Sequence, residues 1–365
     1  MSNRIRTTVA TVALLAPLVA VAFATTAAAD DGYDHHHGST IYTLTNAAAG
    51  NEVVAFRSDH GALTSVGSFG TGGLGSGNGL GSQGALVADD DHLLAVNAGS
   101  NQVSLFGIND DGTLTLGDVE SSGGVRPVSV TLNGDVAYVV NVTDRTVSGF
   151  RIDGGDLQPI AGSTQPLPGN GAAQVSFDRN GRRLVVTEKA TNTIDVLAVN
   201  GRGVAGAAVS NPSNGQTPFG FAIDRRNHVI VSNAAGGAAG ASSVSSYGFA
   251  GRTTLSPLGA AVADTQSAAC WIALSENERF AYTTNAASGT ISSYRVARDG
   301  SLSLLDPVAA SPGAGPLDMI TADGNLFTLN GASHTITSHT VGDDGSLAAN
   351  STISVPTGVA GLATA

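Results

Sequence analysis

Glu188 and Lys189 are the adjacent pair in this chain best suited to chemistry, because a carboxylate that can take a proton from water stands beside the chain's only lysine. Gln174 and Arg126, an amide and a guanidinium able to donate hydrogen bonds, are further polar candidates beside Glu188. Lys189, Asp318, Phe219 and Trp271 are the expected substrate-binding residues, Asp318 being a second carboxylate able to serve as base. Cys270, the only cysteine, adjoins Trp271 and reads as core packing, since an activated thiolate needs a basic neighbour and none is adjacent in sequence. His35-His36-His37, preceded by Asp34, could hold a divalent cation weakly by composition. The other histidines, His60, His92, His228, His334 and His339, lack zinc-ligand spacing, and the Asp-rich turns lack the pattern of a calcium loop. No Gly-x-Ser-x-Gly elbow occurs. Neither a metal nor a cofactor is expected.

What must position these residues is a repeat. An apolar strand ending in Asn recurs at Asn46, Asn97, Asn141, Asn233, Asn285 and Asn330, with Glu188 in the missing place, at intervals of 44 to 52 residues. A second strand follows each, as in Thr146–Ile152 and Thr335–Val341, with β-branched residues alternating with polar ones. Turns such as Asp110-Asp111-Gly112 and Asp343-Asp344-Gly345 supply the positive φ of tight hairpins. A third strand and a Gly/Pro/Ser stretch lead to the strand that opens the next unit, for example Ala172–Asp178 or Ala269–Leu274. The fold class is therefore all-β, a seven-bladed β-propeller over residues 40–365 with almost no helix. The first unit lacks an opening strand before Ile41, and Val359–Thr364 has the character of one. The C-terminus is thus expected to close the ring as the innermost strand of blade one.

In a four-stranded blade, the entry to the first strand and the exit of the second lie on one face. That face should gather Gln83, Arg126, Gln174, Phe219, Cys270, Trp271 and Asp318 with the Asn series. The repeated Asn amides are expected to bond backbone groups of the loops they begin. Glu188 breaks the series, which makes it the place to look for function.

Units such as Ala137-Tyr138-Val139-Val140-Asn141 followed by Thr146-Val147-Ser148-Gly149-Phe150 resemble the lactonase-like seven-bladed propellers, which include 6-phosphogluconolactonases and carboxymuconate cyclases. The repeat is shared with noncatalytic surface propellers of the Tyr-Val-Thr-Asn type. Enzymes of the family typically carry Gly-Pro-Arg-His, two residues and Phe on an opening strand, then a Glu just after the next strand's Asn. The matching strand here is Gly171-Ala172-Ala173-Gln174-Val175-Ser176-Phe177, so the basic pair is replaced by Ala173 and Gln174, and Lys189 stands in the usual Glu place. The resemblance implies hydrolysis of small lactones, or related cyclase chemistry, on the central-channel face. With Gln174 unable to act as a base, a lactonase of this kind would have to use Glu188 or Asp318 as base and Arg126, Lys189 and Gln174 as donors to the developing oxyanion, so that the resemblance implies a catalytic set of Glu188, Gln174 and Arg126. The alternative is a noncatalytic binding propeller, because fold alone does not choose.

Residues 1–29, with Arg4 and Arg6 ahead of the apolar run Val9–Phe23 and the small residues Ala27-Ala28-Ala29, read as a secretory signal peptide. Asp30–Ser39 reads as a disordered polar leader. Without the two leader arginines, the formal charge of −12 becomes about −14, which makes nucleic acid and anionic membrane poor partners. The expectation is a secreted, monomeric protein acting on a small-molecule substrate or an extracellular ligand.

Overall fold

The computed structural model describes residues 38–365, so the expected signal peptide and the histidine tract lie outside the described residues. Seven antiparallel sheets follow one another along the chain, each four strands deep from the axis outward, the outermost being split into two short strands in blades three and five, and all but the first take their strands in chain order. The innermost strands are Leu86–Ala88, Pro127–Asn133, Ala172–Phe177, Pro218–Ile223, Ala269–Leu274 and Pro316–Ala322 for blades two to seven. Helix among the described residues is limited to one 3-10 turn at Ala235–Gly237.

Blade one is completed by the C-terminus, as the sequence predicts. Ala360–Thr364 pairs antiparallel with Thr40–Leu44, placing Ile41 opposite Thr364 and Thr43 opposite Leu362. Thr43 Oγ1 also donates to the Gly361 carbonyl at 2.8 Å. Asp318 of blade seven reinforces the seam, since its Oδ2 accepts from Leu362 N at 3.2 Å and Gly84 N at 3.5 Å. One carboxylate therefore ties the closing strand to the inner strands of blades seven and two. Ser39, placed in the leader by sequence, is already anchored to the ring by two bonds to the Asp323 carboxylate, at 2.7 and 3.0 Å.

Second strands such as His92–Asn97 and Phe280–Asn285 are buried at nearly every position because both of their faces are covered by neighbouring blades. Outer strands such as Leu114–Ser121 are largely exposed. The seam between blades one and seven is filled by Ile41, Phe56, Phe327, Leu329, Ile336 and Leu362. Tyrosines on second strands lock adjacent blades: Tyr42, Tyr138 and Tyr282 donate through their hydroxyls to the carbonyls of Gly112, Gly203 and Gly345, in the outer hairpin of the next blade. Each such buried bond contributes about 1 kcal/mol.

Candidate active site at the channel mouth

Lys189 leaves the second strand of blade four and lays its ammonium over the Phe219 ring, 4.6 Å from the centroid. Phe219, at the start of blade five's inner strand, stacks obliquely on Trp271 of blade six, with centroids 4.9 Å apart. Cys270 and Ala173 complete a buried apolar patch beneath them. Burial lowers the pKa of Lys189 from that of an ordinary lysine, and the nearby Arg126 lowers it further, while Cys270 and Glu188 oppose the shift. Burial also pushes the Cys270 thiol up to about 12, so it stays protonated and inert as the sequence suggests.

Arg126 reaches this face from the loop before blade three's inner strand. Its backbone is left-handed, at φ 63°, and its N–H is held by Asn101 Oδ1 at 2.8 Å. Its side chain is exposed, which leaves the guanidinium free to meet a ligand. Arg126, Lys189, Phe219 and Trp271 thus form one mixed basic and aromatic cluster.

The segment Gly81-Ser82-Gln83 crosses the same mouth, where the sequence places Gln83 but gives no sign of Gly81 and Ser82. Lys189 Nζ donates to the Gly81 carbonyl, and Trp271 Nε1 donates to the Ser82 carbonyl at 2.8 Å. Gln83 spans from blade two to blade six, its amide bonding both Ile272 O at 2.9 Å and Ile272 N at 3.2 Å. Gly220 makes room for it, because a Cβ there would sit 2.0 Å from Gln83 Oε1. The only sequence signal for this bridge is a glutamine at the entry of an inner strand.

The other expected site residues lie elsewhere. Gln174 is committed to the ring: its amide pairs with Phe221 O at 3.0 Å and Phe221 N at 2.7 Å, as Gln83 does with Ile272. Asp318 faces a channel cavity of about 130 Å³ shared with Gln174 and Gln83, and burial pushes its carboxyl up to about 7.

Glu188 is 1% exposed, and neither of its carboxylate oxygens has a hydrogen-bond partner. It sits under Gly169, where a Cβ would come within 2.7 Å of Glu188 Cγ. Other blades place an Asn amide at this position, and it bonds a hydroxyl on the third strand: Asn97 to Ser104, Asn285 to Ser292 and Asn330 to Thr337, at 2.7 to 2.8 Å. These amides therefore stitch second strand to third, and the backbone bonds of the series go to loops that lead into inner strands, Asn141 to Ser122 O at 3.0 Å and Asn330 to Pro312 O at 3.3 Å, instead of to the loops they begin as expected from sequence. In blade four Asp195 takes the hydroxyl's place, its Oδ1 accepting from Ser210 Oγ at 2.6 Å. Burial first and Asp195 second push the Glu188 carboxyl up to about 8. Two carboxylates thus occupy a structural socket between strands, with Glu188 buried and its oxygens unpartnered.

Seven antiparallel sheets in a ring closed by the C-terminal strand define a seven-bladed β-propeller. The sequence profile described as "Lactonase, 7-bladed beta-propeller" matches residues 83–240 and 227–323, and the chain belongs to that family. Among proteins of curated function none matches the sequence. By structure the chain is similar to a candidate 6-phosphogluconolactonase from Bacteroides fragilis, at 18% identity and TM-score 0.70, covering 90% of this chain and 98% of that one. It is also similar to the periplasmic gluconolactonase of Pseudomonas aeruginosa, at 19% identity and TM-score 0.58, covering 72% and 83%. Virginiamycin B lyase from Staphylococcus aureus aligns at 13% identity and TM-score 0.52, covering 76% and 86%. At these identities the likeness speaks for the fold alone.

Proposed function

We propose that the protein is an exported hydrolase of small lactones, with Lys189 as general base and Arg126 as oxyanion donor at the channel mouth. The observation that carries the reading is the Lys189 amine, held over Phe219 beside Arg126 with its pKa lowered. A neutral amine can keep one N–H on the Gly81 carbonyl while its lone pair accepts a proton from water. The hydroxide forms a bond to the lactone carbonyl carbon, and the charge that develops on the carbonyl oxygen meets the Arg126 guanidinium. Collapse breaks the ring C–O bond, and the proton carried by Lys189 passes to the departing alkoxide, giving the hydroxy acid and restoring the amine. Phe219 and Trp271 offer the apolar wall against which the lactone ring lies. Glu188, Gln174 and Asp318 act in this reading as framework.

Acid release from a panel of sugar-acid lactones tests the proposal. Lys189→Met is expected to lose about 100-fold or more in kcat, the usual share of a general base. A noncatalytic binding role is the second reading, favoured by the way Gly81-Ser82-Gln83 bridges the mouth and engages both Lys189 and Trp271. Binding of a lactone or hydroxy acid by calorimetry, with no turnover of any lactone, would establish that reading instead.

A further inference from the structure

The face opposite the channel mouth carries two turns per blade, one between the first and second strands and one between the third and fourth. In most blades these turns are acidic. The inner turns hold Asp89-Asp90-Asp91, Asp135, Glu276 and Asp323 in blades two, three, six and seven. The outer hairpins place Asp111, Asp299 and Asp344 just before their glycine in blades two, six and seven. Blades four and five are neighbours, and both reverse the sign at both turns. Arg179 and Arg182 outnumber Asp178 in one inner turn, with Arg183 opening the strand that follows, and Arg225-Arg226 outnumber Asp224 in the other, while Arg202 and Arg252 take the hairpin position of Asp111, Asp299 and Asp344.

These arginines divide into supports and free ends. Arg151 pairs with Asp135 and donates to the Arg202 carbonyl at 3.0 Å. Arg183 pairs with Asp178 at 2.8 Å and donates to the Arg252 carbonyl at 2.8 Å. The supports thus fix the backbone of Arg202 and Arg252 while their own charges are spent. Arg182, Arg202 and Arg252 are exposed, and none of them has a carboxylate partner among the described residues. A groove of about 890 Å³ is lined by Arg182, Arg252, the Arg151–Asp135 pair and the amides of Asn133, Asn180 and Asn200, with Phe177 also on its wall, and Asp135 enters it with its charge already met by Arg151.

Unpaired cations gathered in one sector of a strongly acidic protein create a local positive potential that attracts an anion. We propose that this groove binds a uronic-acid glycan. Guanidinium forks match carboxylates, and the three amides are suited to ring hydroxyls, which a chain of bare phosphates would not offer. The site lies on the face away from Lys189, so it stands or falls independently of lactone hydrolysis.

The test is calorimetric titration with a short oligogalacturonate, beside an uncharged glucan of equal length and a polyphosphate. The expected result is oligogalacturonate binding that is tighter than polyphosphate binding, absent for the glucan, and weakened by salt. The double variant Arg182→Gln/Arg252→Gln should weaken it by about tenfold, and Asn180→Ala should weaken it measurably, both with unchanged melting temperature. No binding, or binding indifferent to the double variant, would overturn the proposal. Equal binding of polyphosphate with no effect of Asn180→Ala would also overturn it, as adsorption by charge alone. So would wild-type self-association at low salt that the arginine variants abolish, since the partner would then be a second copy's acidic arc.

Discussion

Replacing Glu188 by Gln should make the protein more stable, although the residue breaks the repeat where function would be sought. The carboxyl is pushed from 4.5 to about 8 by burial and by Asp195. The folded chain therefore holds a proton that the unfolded chain releases, and stability falls as pH rises through the window from 4.5 to about 8. Each pH unit in that window costs about 1.4 kcal/mol. At neutral pH the accumulated cost is on the order of 3 kcal/mol. Glutamine keeps the shape and removes the titration, and its amide can donate to the unpartnered Asp195 Oδ2. Urea unfolding at acid, neutral and mildly alkaline pH measures the difference. Wild type and Glu188→Gln should be similar near pH 4.5 and diverge as pH rises, the variant melting higher by on the order of 5 °C at neutral pH. Asp318, whose carboxyl is raised to about 7, titrates in both proteins and cancels from the comparison. A variant less stable than wild type at alkaline pH, or a difference that does not change with pH, would refute the reasoning.

Deleting Gly358–Ala365 removes the inner strand of blade one together with the buried Val359, Ala360, Leu362 and Ala363. Cooperative unfolding by calorimetry should be lost, or the melting temperature should fall by more than 10 °C, a loss of several kcal/mol. Gly169→Ala puts a methyl 2.7 Å from Glu188 Cγ and should cost about 1–3 kcal/mol by denaturant titration. Shortening the facing side chain in Gly169→Ala/Glu188→Ala should recover part of that loss. Cys270, buried with its thiol pushed up to about 12, should resist alkylation in the native protein at mildly alkaline pH and react fully in denaturant, as followed by mass spectrometry.

The ring was legible because a period of strands and hairpins is a backbone property, repeated seven times, in which each copy corrects the reading of the others. Closure was legible for the same reason, the first unit lacking an inner strand and the last residues resembling one. The meeting of Phe219, Trp271 and Lys189 on one face was legible because a residue's place on a strand decides its surroundings. Glu188 shows the limit. Its position on the repeat is clear, but its side chain turns into the socket beneath Gly169, and its neighbour Asp195 becomes noticeable only when aligned with Ser104, Ser292 and Thr337. Gln83 and Gln174 show another limit, because their partners, Ile272 and Phe221, belong to other blades and pair with them only in three dimensions.

The most direct measurement of the central claim is the pH dependence of kcat/KM for lactone opening by wild type, Lys189→Met and Glu188→Gln. The rate should rise with pH to a plateau set by an apparent pKa below the ordinary lysine value of 10.5, with the rise lost in Lys189→Met and kept in Glu188→Gln. A profile abolished by Glu188→Gln and unchanged by Lys189→Met would contradict the assignment of Lys189 as the base.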